Sequence, residues 1–146
     1  MKTAVLVDGG FFIKRYRTLY GNMGQNCFAP HQVVRNLYGG ILRDIRSANR
    51  HNSRRELYRI LYYDCPPLDK RVQNPISNKG IDFIKSPEAQ FRLDLHRELK
   101  KQRKVALRLG HLGTESHWII TPDKTKQLLK GEISVKDLTD KDGRFQ

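Results

Sequence analysis

The stretch AVLVDGGFF, from Ala4 to Phe12, decides the fold class of this chain. Its four consecutive apolar residues, Ala4 to Val7, predict a strand that is buried on both faces, as inside a parallel sheet. Asp8 and two glycines follow as a turn, and apolar residues then alternate with basic ones at helical spacing from Phe11 to Tyr20. A strand, a turn and a helix in this order predict the first half of a β–α–β unit.

A second helix and a second strand complete this unit. Pro30 begins an apolar stripe at helical spacing that runs to Ile45, which predicts a long amphipathic helix. The run from Leu57 to Tyr63 is rich in branched and aromatic residues and stops at Asp64, which predicts a second strand. Because the strands of a β–α–β unit are parallel, we expect Asp8 and Asp64 at the same end of the sheet.

The rest of the chain extends the same architecture. Gly39 and Gly40 interrupt the apolar stripe of the long helix, and they predict a kink or a close approach of another helix. The composition shows no linker, so we expect one α/β domain over residues 1–146 with an inserted β-hairpin. The later elements are predicted as a short strand at Ile81–Ile84, a helix from Ser86 to about Arg103, a β-hairpin of Val105–Leu109 with His117–Thr121, and a short helix from Pro122 to Lys130.

The charge of the chain indicates a polyanionic partner. Lys and Arg total 28 against 15 Asp and Glu, which gives a net charge of +13 and a pI near 10.0. Such a surface attracts nucleic acid because Lys and Arg displace condensed counterions. An anionic membrane would attract the same charge, but no basic amphipathic helix with a broad apolar face is present. Nucleic acid is therefore the expected partner, and no membrane association is expected.

The cysteines indicate the compartment. Cys27 and Cys65 are the only two, and the sequence has no CxxC motif, no Cys/His cluster and no signal-peptide pattern. No apolar stretch approaches the roughly 20 residues that a membrane-spanning helix needs. We therefore expect a soluble, cytoplasmic protein without a zinc site.

Two clusters of basic residues are candidates for contacts with phosphates. One lies on the long helix opposite its apolar stripe, and the other lies at the end of the third helix. Each cluster alone is more typical of a solvated surface, but their sum and the net charge favour nucleic acid, with Tyr62, Tyr63 or Trp118 available to stack on bases. The candidate nucleic-acid-binding residues are Arg43, Arg46, Arg50, Lys100, Lys101, Arg103 and Lys104.

Asp8 is the leading candidate for chemistry. Ligands of open parallel sheets bind beyond the carboxyl ends of the strands, where an acidic side chain can hold Mg²⁺ for phosphodiester hydrolysis. The same Asp8 can also be a turn residue or the nucleophile of a phosphatase-type site. Asp64 is either a second carboxylate beside it or an ordinary turn residue before Cys-Pro-Pro. No phosphate-binding glycine motif follows the first strand, which disfavours a nucleotide cofactor.

Several stretches of the sequence resemble the NYN domain, a branch of the PIN-like nucleases. The resemblance runs over nearly the whole chain and implies a Rossmann-like α/β/α domain, dependence on Mg²⁺ or Mn²⁺, and cleavage of RNA at a cluster of aspartates. Asp8 matches the first of these aspartates, as a catalytic and metal-binding residue, and Asp64 would be its catalytic helper. The stretches that carry the resemblance are Ala4–Phe12, Leu57–Asp69, Pro75–Phe91 and Val105–Gly110.

Two features depart from the NYN pattern. Phe11 and Phe12 stand where an Asn often follows the first aspartate, and the later aspartate motifs do not occur before Gln146. The resemblance therefore implies a metal-dependent endoribonuclease-type domain whose site is incomplete, so that this chain alone is expected to be inactive. The alternative is a non-catalytic module for RNA binding or assembly.

The missing motifs also bear on the sheet. In PIN-like folds the first strand is central, and without the later strands Ala4 to Val7 would become an edge. This segment is short, apolar and free of Pro or charge, so its unpaired main-chain groups form a template for another strand. We therefore expect a homo-oligomer formed through this edge, or a separate chain that completes the sheet.

Overall fold

The computed structural model describes residues 1–21, 28–49, 54–112 and 119–138. The chain forms two compact units, Met1–Pro67 with Pro87–Leu112 and Leu68–Ser86 with Gly113–Gln146. Whether these units act as the one predicted domain stays a prediction. In chain order the elements are β1 (Lys2–Asp8), α1 (Gly9–Tyr20), α2 (Pro30–Asn49), β2 (Glu56–Asp64), β3 (Arg71–Gln73), β4 (Gly80–Asp82), α3 (Pro87–Lys101), β5 (Val105–Leu109) and α4 (Pro122–Leu129).

The first unit contains a three-stranded parallel sheet in the order β1–β2–β5. Val7 lies opposite Tyr62 across the first pair of strands, and Tyr62 lies opposite Leu107 across the second. The predicted α/β class and the parallel β–α–β unit are therefore confirmed, and the sheet with its helices is consistent with a Rossmann-like fold. Within the described part of the chain β1 pairs only with β2, so it is an edge strand.

The apolar core lies on one face of this sheet, where α1, α2 and α3 meet it. The row of Val7, Tyr62 and Leu107 points toward these helices. Full burial of one aliphatic or aromatic core side chain contributes about 1.5–3 kcal/mol, so this cluster is the main stabilising feature of the unit. The buried cluster consists of Ile13, Tyr16, Val33, Val34, Tyr62, Leu95 and Leu99.

The opposite face of the sheet is open at β1. Ala4 and Leu6 alternate with the core-facing residues, and Leu6 is 66% exposed. The prediction that Ala4 to Val7 is buried on both faces is therefore wrong. The physical reason is that the three helices pack on the face of Val7, so the alternate side chains of this edge strand point into solvent.

Glycine is needed at the first residue of α1 but not in the middle of α2. A Cβ at Gly9 would lie 2.6 Å from Cε1 of Tyr62 and 2.9 Å from the carbonyl oxygen of Tyr63, so α1 approaches β2 too closely for a side chain. A Cβ at Gly39 or Gly40 would meet nothing within 4 Å. The predicted close approach at Gly39 and Gly40 is therefore wrong, because both positions border open space.

The second unit contains a small antiparallel pair. β3 and β4 pair with Val72 opposite Ile81, which confirms a short strand near the predicted position. The first strand of the predicted hairpin of Val105–Leu109 with His117–Thr121 is β5, and it pairs in parallel with β2. Residues 117 and 118 lie outside the described residues, and 119–121 form no strand, so that hairpin stays a prediction.

A membrane-spanning helix requires both length and apolar character. None of the helices in the described ranges combines the two.

Candidate functional site at the carboxyl edge of the sheet

Asp8 ends β1 and begins α1, so it lies at the carboxyl end of a parallel strand. Its side chain is exposed, and its Oδ1 accepts a hydrogen bond from the main-chain N–H of Phe11 at 2.9 Å. This contact caps α1 and sets the negative charge at the positive end of the helix dipole. The carboxylate is therefore held in a defined orientation at the solvent boundary, as a candidate ligand-binding group must be.

Tyr63 and Arg108 stand beside Asp8 in one row across the three strands. The register pairs Asp8 with Tyr63 and Tyr63 with Arg108, and paired residues of a sheet share a face. Neighbouring strands are about 4.8 Å apart, so the three residues span about 10 Å. All three are exposed, and Tyr63 is 46% exposed. We call Asp8, Tyr63 and Arg108 the carboxyl-edge row; it sets a carboxylate, an aromatic ring and a guanidinium on one open face.

The sequence indicates Asp8 as a candidate for chemistry and Tyr63 as one of three candidates for base stacking, but it does not bring them together with Arg108. In the sequence, Arg108 belongs to the same basic cluster as Lys100, Lys101, Arg103 and Lys104. Their adjacency to Asp8 depends on the register, which shifts between Thr3 and Ala4 because Tyr58 is an extra residue in β2. The row is therefore a feature that needs three-dimensional information.

Asp64 lies at the same end of the sheet as Asp8, which confirms that prediction, but on the other face. Its side chain is 7% exposed and points to α3. Nη1 of Arg92 donates to both carboxylate oxygens at 2.8 Å, and Nε2 of His96 lies 2.9 Å from Oδ2. The main-chain N–H of Cys65 donates to Oδ1 at 2.9 Å. Asp64 is thus surrounded by donors from its own chain.

The electrostatics keep Asp64 ionised. Burial raises the pKa of this carboxyl, but the hydrogen bonds from His96 and Cys65 and the charge of Arg92 together outweigh burial and hold the pKa below its usual range. Arg92 thereby occupies the position next to Asp64 that a bound cation would take. These contacts hold α3 against the end of β2, and the predicted role of Asp64 as a catalytic helper stays a prediction.

The charge network extends along the helices. Nε of Arg92 lies 3.2 Å from Oε1 of Glu88, and Nη2 of Arg17 lies 2.6 Å from Oε2 of Glu88. Burial raises the pKa of Glu88, whereas its hydrogen bonds and charge contacts with Arg17 and Arg92 lower it to below its usual range. Alternating charges therefore connect α1, α3 and β2.

Tyr62 precedes Tyr63 in β2, so its side chain lies on the face of the sheet opposite to the carboxyl-edge row, and its hydroxyl is buried. Its oxygen has no hydrogen-bond partner in the described part of the chain. Burial raises the pKa of this phenol, and the charge of Asp64 raises it further. A buried hydroxyl without a partner costs about 1–3 kcal/mol, so Tyr62 is a local weak point in an otherwise well-packed core.

The residues around Asp8 fit a divalent cation only in part. Across residues 1–21, 28–49, 54–112 and 119–138, no three His, Cys, Asp or Glu side chains are grouped so that they could hold a metal. Asp8 is exposed and can be one carboxylate ligand. Mg²⁺ often keeps several waters and binds through one or two carboxylates together with substrate phosphates. The predicted Mg²⁺ or Mn²⁺ therefore rests on Asp8 and stays a prediction.

The predicted basic cluster of α3 lies at the opposite end of the sheet. α3 starts near Asp64 and leads to Lys104, whose Nζ donates to the carbonyl of Leu57 at 2.6 Å, near the start of β2. The eight steps from Glu56 to Asp64 correspond to about 26 Å of extended strand. Lys100, Lys101, Arg103 and Lys104 are thus not part of a common site with Asp8.

The second predicted basic cluster also lies away from Asp8. Arg43 and Arg46 are exposed on α2, whose last residue, Asn49, bonds the main chain of Arg55 just before β2. Arg50 lies outside the described residues, as does Trp118. The exposed residues of this cluster therefore lie toward the amino-terminal end of β2. From there they can attract a polyanion at long range.

Comparison with known proteins does not identify a family. No protein-family model matches the chain, and no curated protein and no solved structure shows a significant match. The resemblance to the NYN domain therefore remains a hypothesis that rests on the motifs themselves.

Proposed function

We propose that this domain binds single-stranded RNA and that the carboxyl-edge row contacts one nucleotide. The observation that carries the proposal is the register that sets Tyr63 between Asp8 and Arg108 on an open face. An exposed aromatic ring on a sheet can stack on a base, and an adjacent Arg can hold the phosphate. An acidic side chain at the third position can accept a hydrogen bond from a ribose 2′-hydroxyl, which is the group that distinguishes RNA from DNA.

The charge of the chain supports the same partner. With a net charge of +13, the domain attracts RNA from a distance, and the predicted basic residues on α2 and α3 contribute to this field. Affinity should consequently fall with rising salt because each phosphate contact releases condensed counterions. Sequence preference should be weak, since stacking accepts every base.

A second candidate function is metal-dependent cleavage of RNA. It is favoured by the exposure of Asp8 at the carboxyl end of a parallel strand, which is where such sheets bind ligands. A bound Mg²⁺ or Mn²⁺ would activate water for attack on the phosphodiester. Asp8 would orient that cation while Tyr63 and Arg108 hold the nucleotide. Under this candidate function, the fold would be of the NYN type within the PIN-like group and would include the inserted hairpin. The protein would act in the cytoplasm.

One variant separates the two functions. Asp8→Asn removes the charge but keeps an equally good helix cap, so the fold should be preserved. Asp94→Asn makes the same chemical change at an exposed carboxylate of α3 and serves as the matched control. Labelled single-stranded RNA is incubated with each chain and with Mg²⁺ or Mn²⁺.

The outcomes differ for each proposal. Metal-stimulated cleavage that disappears in Asp8→Asn but persists in Asp94→Asn supports the catalytic candidate. Binding of RNA without cleavage by any of the three chains counts against cleavage by this chain and leaves RNA binding as its function. Failure of the unmodified chain to bind RNA at low salt contradicts the first proposal as well.

A further inference from the structure

We infer that two copies of this chain pair through β1, antiparallel about a two-fold axis at Val5. This interaction surface shares only Asp8 with the carboxyl-edge row. In the described residues β1 has a partner strand on one side only, so the main-chain groups on its other side form an open edge. Such an edge accepts another strand by main-chain hydrogen bonding.

The structure indicates which main-chain groups point outward. The N–H of Glu56 donates to the carbonyl of Met1 at 2.9 Å, so the main chain of Met1 faces β2. Successive residues of a strand alternate, and the extra residue of the bulge lies in β2, so this alternation continues along β1. The outward-pointing residues are therefore Lys2, Ala4, Leu6 and Asp8.

A two-fold axis at Val5 uses this edge fully. It pairs all seven residues of β1 and sets outward-pointing residues opposite each other, so that each such pair can exchange two main-chain hydrogen bonds. Val5 then faces its own copy in a position without hydrogen bonds. The pairs across the axis are Lys2 with Asp8, Thr3 with Val7, Ala4 with Leu6, and Val5 with Val5.

The side chains of β1 are complementary to themselves in this register. Lys2 of one copy lies opposite Asp8 of the other, and the symmetry repeats this contact at the far end. Leu6, which is 66% exposed, lies opposite the small Ala4 and gains a cross-strand neighbour. Moving the axis to Ala4 or Leu6 would set an apolar residue opposite a charge and leave the other charge unpaired. A second copy is therefore the partner that fits this edge.

The pairing should be weak and should depend on salt in a characteristic direction. Seven residues extend about 23 Å, which gives a contact below the size of a standard stable interface. Each copy carries a net charge of +13, so the two repel each other, and added salt screens this repulsion. Self-association should thus strengthen with salt while RNA binding weakens, which keeps failure of one proposal distinct from failure of the other.

A cysteine introduced at the axis tests the register. In a chain whose Cys27 and Cys65 are replaced by Ser, Val5→Cys should form a disulfide between copies, because residues at such a pair lie about 4.5 Å apart between Cα atoms. Thr3→Cys is the matched control on the same face of β1. Its mate would lie four residues away along the strand, or about 13 Å, which is too far for a disulfide.

The expected result is at least a tenfold faster formation of disulfide-linked dimer by Val5→Cys than by Thr3→Cys under mild oxidation. Equal rates for the two variants would overturn the inference. Lys2→Glu should also weaken self-association in light scattering, because it sets Glu opposite Asp8, whereas Lys100→Glu makes the same charge change on α3 and should not weaken it. Equal effects of the two charge reversals would likewise contradict the register.

Hydrogen exchange on the unmodified chain gives an answer that does not depend on any variant. The amides of Val5 point to β2 and should be protected at every protein concentration. The amides of Ala4 and Leu6 point to the open edge and should become protected only as concentration rises. A monomer at millimolar concentration in which Ala4 and Leu6 exchange rapidly would show that β1 does not pair with a second copy.

Discussion

Replacing Arg92 with Met would remove the cation that faces a buried carboxylate. The side chains of Arg92 and Asp64 are 21% and 7% exposed, and Nη1 bonds both carboxylate oxygens at 2.8 Å. Breaking a buried ion pair on one side costs about 3–5 kcal/mol because the remaining charge is left without its partner. Arg92 keeps some contact with solvent, and His96 and Cys65 still bond Asp64, so we expect a loss at the lower end, about 3 kcal/mol.

The measurement is urea unfolding followed by far-UV circular dichroism, with Arg97→Met as the matched control. Arg97 lies on the same helix, is 68% exposed and pairs with Asp94 at 2.7 Å. Such a surface pair contributes about 0–1 kcal/mol. The free energy of unfolding should therefore fall by about 3 kcal/mol in the first variant and by less than about 1 kcal/mol in the control. Similar small losses in both would refute the assignment of Asp64 to a buried ion pair.

Three further changes test the packing and the electrostatics. Gly9→Ala should lower the melting temperature because its Cβ clashes with Tyr62, with a cost of about 1–3 kcal/mol. Gly39→Ala should instead raise stability by up to about 1 kcal/mol. Equal effects of the two variants would contradict the difference in packing between Gly9 and Gly39. Tyr62→Phe removes a buried hydroxyl that has no hydrogen-bond partner among the described residues, so it should leave the free energy of unfolding in urea unchanged or raise it by about 1 kcal/mol. A large loss would reveal a hidden partner. Since the folded state lowers the pKa of Asp64, its ion pair should stabilise the protein above about pH 4 and lose this effect as the pH falls through the folded pKa. The loss of unfolding free energy caused by Arg92→Met should therefore be smaller at pH 3 than at pH 7. An equal loss at the two pH values would be inconsistent with this account.

The elements of the first unit follow closely from the sequence. The long helix begins at Pro30 and β2 ends at Asp64, as the apolar stripe and the branched run indicate. These elements are predictable because periodicity and terminating residues are local properties of the chain. The placement of Asp8 at a strand end is predictable for the same reason.

The set of side chains that share the carboxyl-edge row is harder to predict, because it depends on the register of the strands. One extra residue at Tyr58 shifts the pairing of β2, and a shift by one residue moves every following side chain to the other face. Without it Asp8 would lie beside Tyr62 instead of Tyr63. The only sequence signal is that Leu57 and Ile60 are three residues apart, which breaks the alternation of a strand.

The environment of Asp64 and the exposure of β1 depend on distant parts of the chain. Arg92 and His96 are four residues apart on one helix face, a spacing that in retrospect marks a pair directed at one partner. Which partner they meet is fixed only when α3 packs on the sheet. Likewise, the apolar run from Ala4 to Val7 indicates a strand but not which of its faces is covered, which is why the exposed Leu6 was not apparent from its composition. Its edge position was expected only from the resemblance to PIN-like folds.

The affinity for single-stranded RNA, measured by fluorescence anisotropy over a range of salt concentrations, tests the proposed function most directly. Tyr63→Leu should weaken binding by about 1–3 kcal/mol, or roughly 5-fold to 150-fold, whereas Tyr58→Leu at the other end of β2 should change it little. Arg108→Gln should reduce the slope of log affinity against log salt by about 0.7, and Arg97→Gln, outside the row, should leave it nearly unchanged. Binding that is independent of salt, or equal losses in Tyr63→Leu and Tyr58→Leu, would contradict recognition of RNA by the carboxyl-edge row.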